Sequence, residues 1–97
     1  MIDKRIEIEK AVRMVHDGAS IMFGGFGQSG SPRHLIRALS DTGVKGLHTM
    51  SDDIGLTFRG FDQTLSILVE RGQIADAKCC FIGQNPTAGK KYMAGEI

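Results

Sequence analysis

Between Ile21 and Pro32 the chain passes from an apolar triplet, Ile21-Met22-Phe23, through Gly24-Gly25-Phe26-Gly27-Gln28-Ser29-Gly30 to Ser31-Pro32. Four glycines in seven residues deny that stretch to any helix or strand, because glycine loses the most conformational freedom on being ordered. The triplet therefore ends at Phe23 as a buried strand. Proline is at home in the first turn of a helix and costly deeper in, so Ser31 reads as an N-cap and Pro32 as the first helical residue. Strand, glycine loop and helix in that order open an α/β layer. Such a loop lets backbone N–H groups approach a ligand, and the helix aims its positive end at the same place. A ligand held there is polar or anionic and lies flat against the backbone. The plainer alternative is a tight strand-to-helix turn.

The alternation repeats along the chain. Ile8, Ala11, Val12 and Val15 predict a helix over Glu7–Asp17, closed by Gly18. Leu35, Ile36 and Leu39 give the second helix an apolar face to about Thr42, with Gly43 as its stop. Leu47–Met50 is the second strand, followed by the polar turn Ser51-Asp52-Asp53. Leu65, Leu68 and Val69 predict a third helix from about Asp62 to Arg71, stopped by Gly72. Lys78–Ile82 is the expected third strand, and Thr87–Met93 a short last helix. Helices alternating with apolar strands predict a three-layer α/β/α fold with a mainly parallel sheet. In such a sheet ligands sit off the carboxyl ends of the strands. Three polar, glycine-bearing loops leave those ends: Gly24–Ser31, Ser51–Gly60 and Gly83–Gly89. Their convergence nominates Gly24, Gly25, Phe26, Gly27, Gly30, Asp52, Asp53, Gln84 and Asn85 as candidate binding residues. For Asp52 and Asp53 the competing reading is a helix cap or solvated turn. For Asn85-Pro86 it is a plain turn signal.

Charge and composition narrow the function classes. A net charge of +1 over 97 residues gives no electrostatic basis for nucleic-acid binding. The longest apolar run, Cys79–Ile82, is too short to cross a membrane. Asp3, Lys4, Arg5, Glu7 and Glu9 break up any apolar stretch, so the first residues are not expected to be a signal peptide. The two cysteines, Cys79 and Cys80, are adjacent. On a strand they point to opposite faces, so a disulfide between them would be strained; both are expected reduced, in a cytoplasmic protein. No further Cys or His cluster suggests a metal site. His16 and His34 fall on expected helix surfaces and His48 mid-strand, none with an evident acidic partner. The methionines read as core filler and Lys90-Lys91 as a solvated face. The chain stops at Gly95-Glu96-Ile97 without a polar tail. An α/β layer of this size buries little surface, so the fold is expected to be incomplete and to finish its core against a partner.

Gly25-Phe26-Gly27-Gln28-Ser29-Gly30 also spells G-x-G-x-x-G after a strand, with Asp52 and Asp53 about twenty residues on. That is the spacing of a dinucleotide fingerprint. In the fingerprint the third glycine lies inside the helix and lets it pack on the strand. Pro32, two residues past Gly30, puts the helix start after that glycine. A dinucleotide- or sugar-phosphate-binding α/β domain is therefore the runner-up.

The run Asp17-Gly18-x-x-Ile21-Met22-Phe23-Gly24-Gly25-Phe26-x-x-x-Gly30-x-Pro32 resembles the N-terminal signature of the α-type subunit of family I CoA-transferases. This group includes butyrate–acetoacetate, acetate and succinyl-CoA:3-ketoacid CoA-transferases. The likeness continues through Leu35-Ile36-x-Ala38-Leu39, Thr42-Gly43-Val44, Ile82-Gly83-x-Asn85-Pro86 and Met93-x-Gly95-Glu96. It implies that residues 1–97 are the N-terminal part of one α-type domain. It also implies an enzyme moving CoA between a short-chain acyl-CoA and a carboxylic acid such as acetoacetate. The coenzyme A ester is then a substrate, and no cofactor or metal is called for. In such enzymes a glutamate carboxylate attacks the thioester, an enzyme–CoA thioester forms, and the incoming acid takes the CoA. That glutamate belongs to the β-type subunit, and nothing here resembles its Ser-Glu-Asn-Gly motif. The resemblance thus implies a hetero-oligomer, no catalytic residue in this chain, and an inactive chain on its own. A non-catalytic truncated subunit is the further alternative. Where the family often has asparagines after the second strand, this chain has Asp52 and Asp53, which accept hydrogen bonds when ionised but cannot donate them.

Overall fold

The computed structural model describes residues 1–27, 29–56 and 64–97. Strands β1 (Ser20–Met22), β2 (Leu47–Met50) and β3 (Ile74–Lys78) pair in parallel in the order β1-β2-β3. Helices α1 (Ile8–Val12), α2 (Arg33–Asp41), α3 (Ser66–Glu70) and α4 (Pro86–Met93) alternate with them. The expected α/β class with a parallel sheet is what the chain forms.

The helices pack one against the next, α1 on α2, α2 on α3 and α3 on α4. Along β2, Leu47 and Thr49 are buried while His48 and Met50 are exposed. Alternate strand residues face opposite sides, so this pattern assigns the helices to one face and leaves the other open among the described residues. The core lies between sheet and helices: Ile36, Leu39, Val44, Leu47, Ile54, Leu65, Leu68, Val69 and Ile74 are buried. Helix α3 is its centre, with Ser66, Ile67, Leu68 and Val69 all buried. At the amino end of the sheet the buried Gln73 carboxamide accepts from Ser40 Oγ (2.7 Å). It donates to the carbonyls of Ser40 (3.1 Å) and Val44 (2.8 Å). A polar group so enclosed is tolerated because its hydrogen-bonding capacity is met.

Several expectations change. The third strand ends at Lys78 rather than beginning there, and Cys79 and Cys80 lie beyond it. Register explains the shift. A parallel strand extends only as far as its neighbour, and Met50, the end of β2, pairs with Lys78. Past that point the chain keeps one isolated bridge, Asp53 with Phe81. Helix α1 is shorter than expected: the bonds from Met14 N to Ala11 O and Val15 N to Val12 O tighten its end, so His16 lies outside it. Helix α2 starts at Arg33 with Pro32, not Ser31, at the N-cap position. Asp62 and Gln63, the expected start of the third helix, lie outside the described residues. All five methionines are exposed rather than core filler. Strands β1 and β2 turn Met22 and Met50 to the open face, and the others sit at the first residue, in a turn and at the end of α4. His48 does have an acidic partner: Asp76, its register neighbour on β3, meets its Nδ1. Lys91 Nζ is bound to the Val69 carbonyl at 2.6 Å rather than simply solvated. No described helix is long and apolar enough to cross a membrane.

Candidate functional site

Three loops leave the carboxyl ends of the strands and meet around one cavity of about 270 Å³. It is lined by Phe26 and Gly27 from the first loop, Asp53 and Gly55 from the second, and Phe81, Gly83 and Gln84 from the third. This is where a parallel sheet presents ligands. The third loop is shorter than expected, because α4 begins at Pro86 and contains Gly89.

The first loop folds back on itself. Phe26 and Ser29 exchange backbone hydrogen bonds of 2.8 and 2.9 Å. Gly30 stands outside α2, since the helix opens three residues later, so it has no helix–strand packing role of the dinucleotide kind. Gly25 has φ +115°, and a Cβ there would meet Ser31 N at 3.0 Å and Ser31 Cα at 3.1 Å. The close approach it permits is to the chain itself. Gly27 differs: its φ is +61°, and a Cβ would meet nothing within 4 Å.

Asp53 ties the first two loops together. Its carboxylate accepts from Gly27 N at 2.6 Å and from Gly55 N at 2.9 Å. Bonds to an ionised acceptor are the stronger kind, about 1.5–3 kcal/mol each. The side chain lines the cavity, yet its oxygens are engaged in bracing the loops. Gly55, absent from the sequence-derived candidates, is fixed by its surroundings: at φ +94° a Cβ would lie 2.5 Å from Ser66 N.

The remaining candidates divide. Gln84 lines the cavity. Asn85 does not: it is fully buried, its Oδ1 caps α4 through Ala88 N (3.0 Å), and its Nδ2 donates to the Ile54 carbonyl (3.0 Å). Asp52 does not line it either. The Asp52 carbonyl accepts from Cys80 N and Phe81 N, and its Oδ2 is enclosed with no hydrogen-bond partner among the described residues. Gly24 and Gly25 border a small adjoining space with Ser51 and Asp53.

The feature that sequence patterns miss is aromatic. Phe26 and Phe81 both line the cavity and are exposed, with rings perpendicular and centroids 6.3 Å apart. Phe26 is a candidate through its place in the glycine loop; Phe81 is not one at all. The sequence hides it inside the expected third strand, which the structure ends at Lys78. Beside it, burial above all, then the neighbouring Cys80 and Asp53, pushes the Cys79 thiol pKa up. That thiol is a poor nucleophile. Among the described residues no three of His, Cys, Asp and Glu converge as metal ligands would.

The family model described as Coenzyme A transferase matches residues 5–97. The mouse (Mus musculus) protein named succinyl-CoA:3-ketoacid coenzyme A transferase 2B, mitochondrial, is 41% identical over 88 residues, covering 91% of this chain and 16% of that protein. A Bacillus subtilis (strain 168) protein, named as the alpha subunit of a probable coenzyme A transferase, is 37% identical over 94 residues, 97% of this chain and 39% of that one. A Mycobacterium tuberculosis (strain CDC 1551 / Oshkosh) protein, named as one subunit of a probable succinyl-CoA:3-ketoacid coenzyme A transferase, is 34% identical over 88 residues. That match covers 91% of this chain and 34% of that one. The chain thus spans well under half the length of these relatives.

Proposed function

Since the chain belongs to the coenzyme A transferase family, we propose that it forms part of an enzyme moving CoA between a short-chain acyl-CoA and a carboxylic acid such as acetoacetate. A β-type partner subunit supplies the glutamate nucleophile in a hetero-oligomer. The observation that carries the reading is the cavity where all three strand-end loops converge. Its walls combine backbone glycines with apolar rings, which suits an acyl group whose thioester faces the polar rim. The subunit names of the bacterial relatives support a partner chain. The free Cys79 and Cys80 suit a reducing, cytoplasmic setting.

In this division of labour the partner's carboxylate attacks the thioester carbonyl and displaces CoA thiolate, leaving an acyl–glutamyl anhydride. The thiolate then attacks the glutamyl carbonyl, which releases the donor acid and leaves an enzyme–CoA thioester. The acceptor acid runs the same steps in reverse to carry the CoA away. This chain's residues hold and shape. Asp53 fixes Gly27 and Gly55, and Phe26, Phe81 and Gln84 enclose the reacting end.

The test is reconstitution. The pure chain, given acetyl-CoA and acetoacetate, is expected to form no acetoacetyl-CoA. A preparation that also holds the remainder of an α-type subunit and a β-type subunit is expected to form it with ping-pong kinetics. Turnover by the pure chain would overturn the partner-supplied nucleophile. A reconstituted complex with no turnover would favour a non-catalytic subunit. Saturable NADH binding without any response to CoA esters would revive the dinucleotide reading.

A further inference from the structure

Resting on that reading, we infer that the Phe26–Phe81 pair measures the length of the acyl chain, and that Phe81 is its specificity-determining residue. The cavity is about 270 Å³, just below the usual range for small-molecule pockets. It has room for a short acyl end and not for a whole coenzyme. Three of its seven described lining residues, Gly27, Gly55 and Gly83, contribute no side-chain bulk. Among the described residues its shape is set by the two phenyl rings, with Asp53 and Gln84. The rings are held from their backbones: Phe26 by its paired bonds to Ser29, Phe81 by bonds from its N to the Asp52 carbonyl (3.1 Å) and from Ile54 N to its carbonyl (3.3 Å). Perpendicular contact at 6.3 Å lets each ring brace the other. A chain lying along this wall gains roughly fourfold in affinity per methylene buried until it meets a ring. A second carboxylate on the acyl group meets the charge of Asp53, so the substrate class is a short, uncharged acyl chain.

The experiment titrates the chain with acetyl-, butyryl-, hexanoyl-, octanoyl- and succinyl-CoA and with free CoA. Calorimetry gives affinity, and amide shifts at Gly27 and Gly83 report the site. Wild-type affinity is expected to rise from acetyl to butyryl and to fall severalfold by octanoyl, with succinyl-CoA weaker than butyryl-CoA. Phe81→Ala should move the optimum to hexanoyl or beyond, and Phe81→Leu part of the way. Phe81 is 58% exposed, so both variants should melt near wild type; if Phe81→Ala fails to fold, Phe26→Ala carries the same test. An unchanged chain-length profile in the variants overturns the inference while leaving the CoA reading intact. No binding of any ester or of free CoA overturns both. Succinyl-CoA binding as tightly as butyryl-CoA overturns the role given to Asp53.

Discussion

At residue scale, two glycines of the same loop, alike in sequence, behave differently because of what stands behind them. Gly25 combines φ +115° with backbone 3.0 Å from where a Cβ would sit, whereas Gly27 opens onto free space. Gly25→Ala should therefore cost about 3 kcal/mol or more, from backbone strain plus overpacking. Gly27→Ala should cost only about 1–2 kcal/mol for its left-handed conformation. Urea or thermal unfolding of the two variants checks this. On a domain of this size each kcal/mol moves the melting temperature by roughly 4–8 °C, so Gly25→Ala melts well below Gly27→Ala. Equal melting temperatures would refute the difference. The sequence shows that the loop needs glycine. Which glycines serve the fold and which face the cavity depends on where Ser31 returns.

At the scale of elements, one side chain fastens the start of α4. Asn85 caps its first turn and reaches back to the Ile54 carbonyl, joining the second and third loops behind the cavity. Asn85→Ala loses the cap, about 1 kcal/mol, and leaves a buried carbonyl unpaired, about 1–3 kcal/mol more. A loss of roughly 2–4 kcal/mol in denaturant unfolding is expected, with amide exchange rising first across Ala88 and Gly89. A loss under about half a kcal/mol, the size of an ordinary surface substitution, would show that Asn85 is not the fastener of α4. The helix itself is legible to within a residue from Pro86 and its apolar positions. The third strand is not, because Ala75-Asp76-Ala77 is a weak strand signal and Cys79–Ile82 a strong one. Pairing with β2 overrides local preference.

For the whole molecule, the open sheet face governs behaviour in solution. The accessible surface is 6413 Å², against about 5,400 Å² for a compact monomer of this mass. The extended first residues and the uncovered face account for exposed apolar surface such as Met1, Ile2, Met22 and Met50. A parallel sheet is ordinarily covered on both faces, and edge strands offer unpaired groups to other chains. The purified chain is expected to self-associate with rising concentration in sedimentation velocity. The double substitution Met22→Lys and Met50→Lys should suppress that association without unfolding the chain. A wild-type chain that stays monomeric at high concentration would count against it.

What the sequence determined by itself is what short-range chemistry dictates. Glycines terminate elements, apolar spacing makes helices, and alternation makes a parallel α/β sheet whose three loops must gather at one end. The signature from Asp17 to Pro32 also carried the family, since it is a contiguous string. The tertiary structure alone decided the rest. It placed the end of β3 by pairing with β2, joined His48 to Asp76 across strands, turned the methionines outward, and spent Asp53 and Asn85 on backbone groups. It also brought Phe26 and Phe81, far apart in the chain, into edge-to-face contact at one cavity. Each of these depends on residues meeting across the sheet or between loops, and distance along a chain carries no record of which groups will meet.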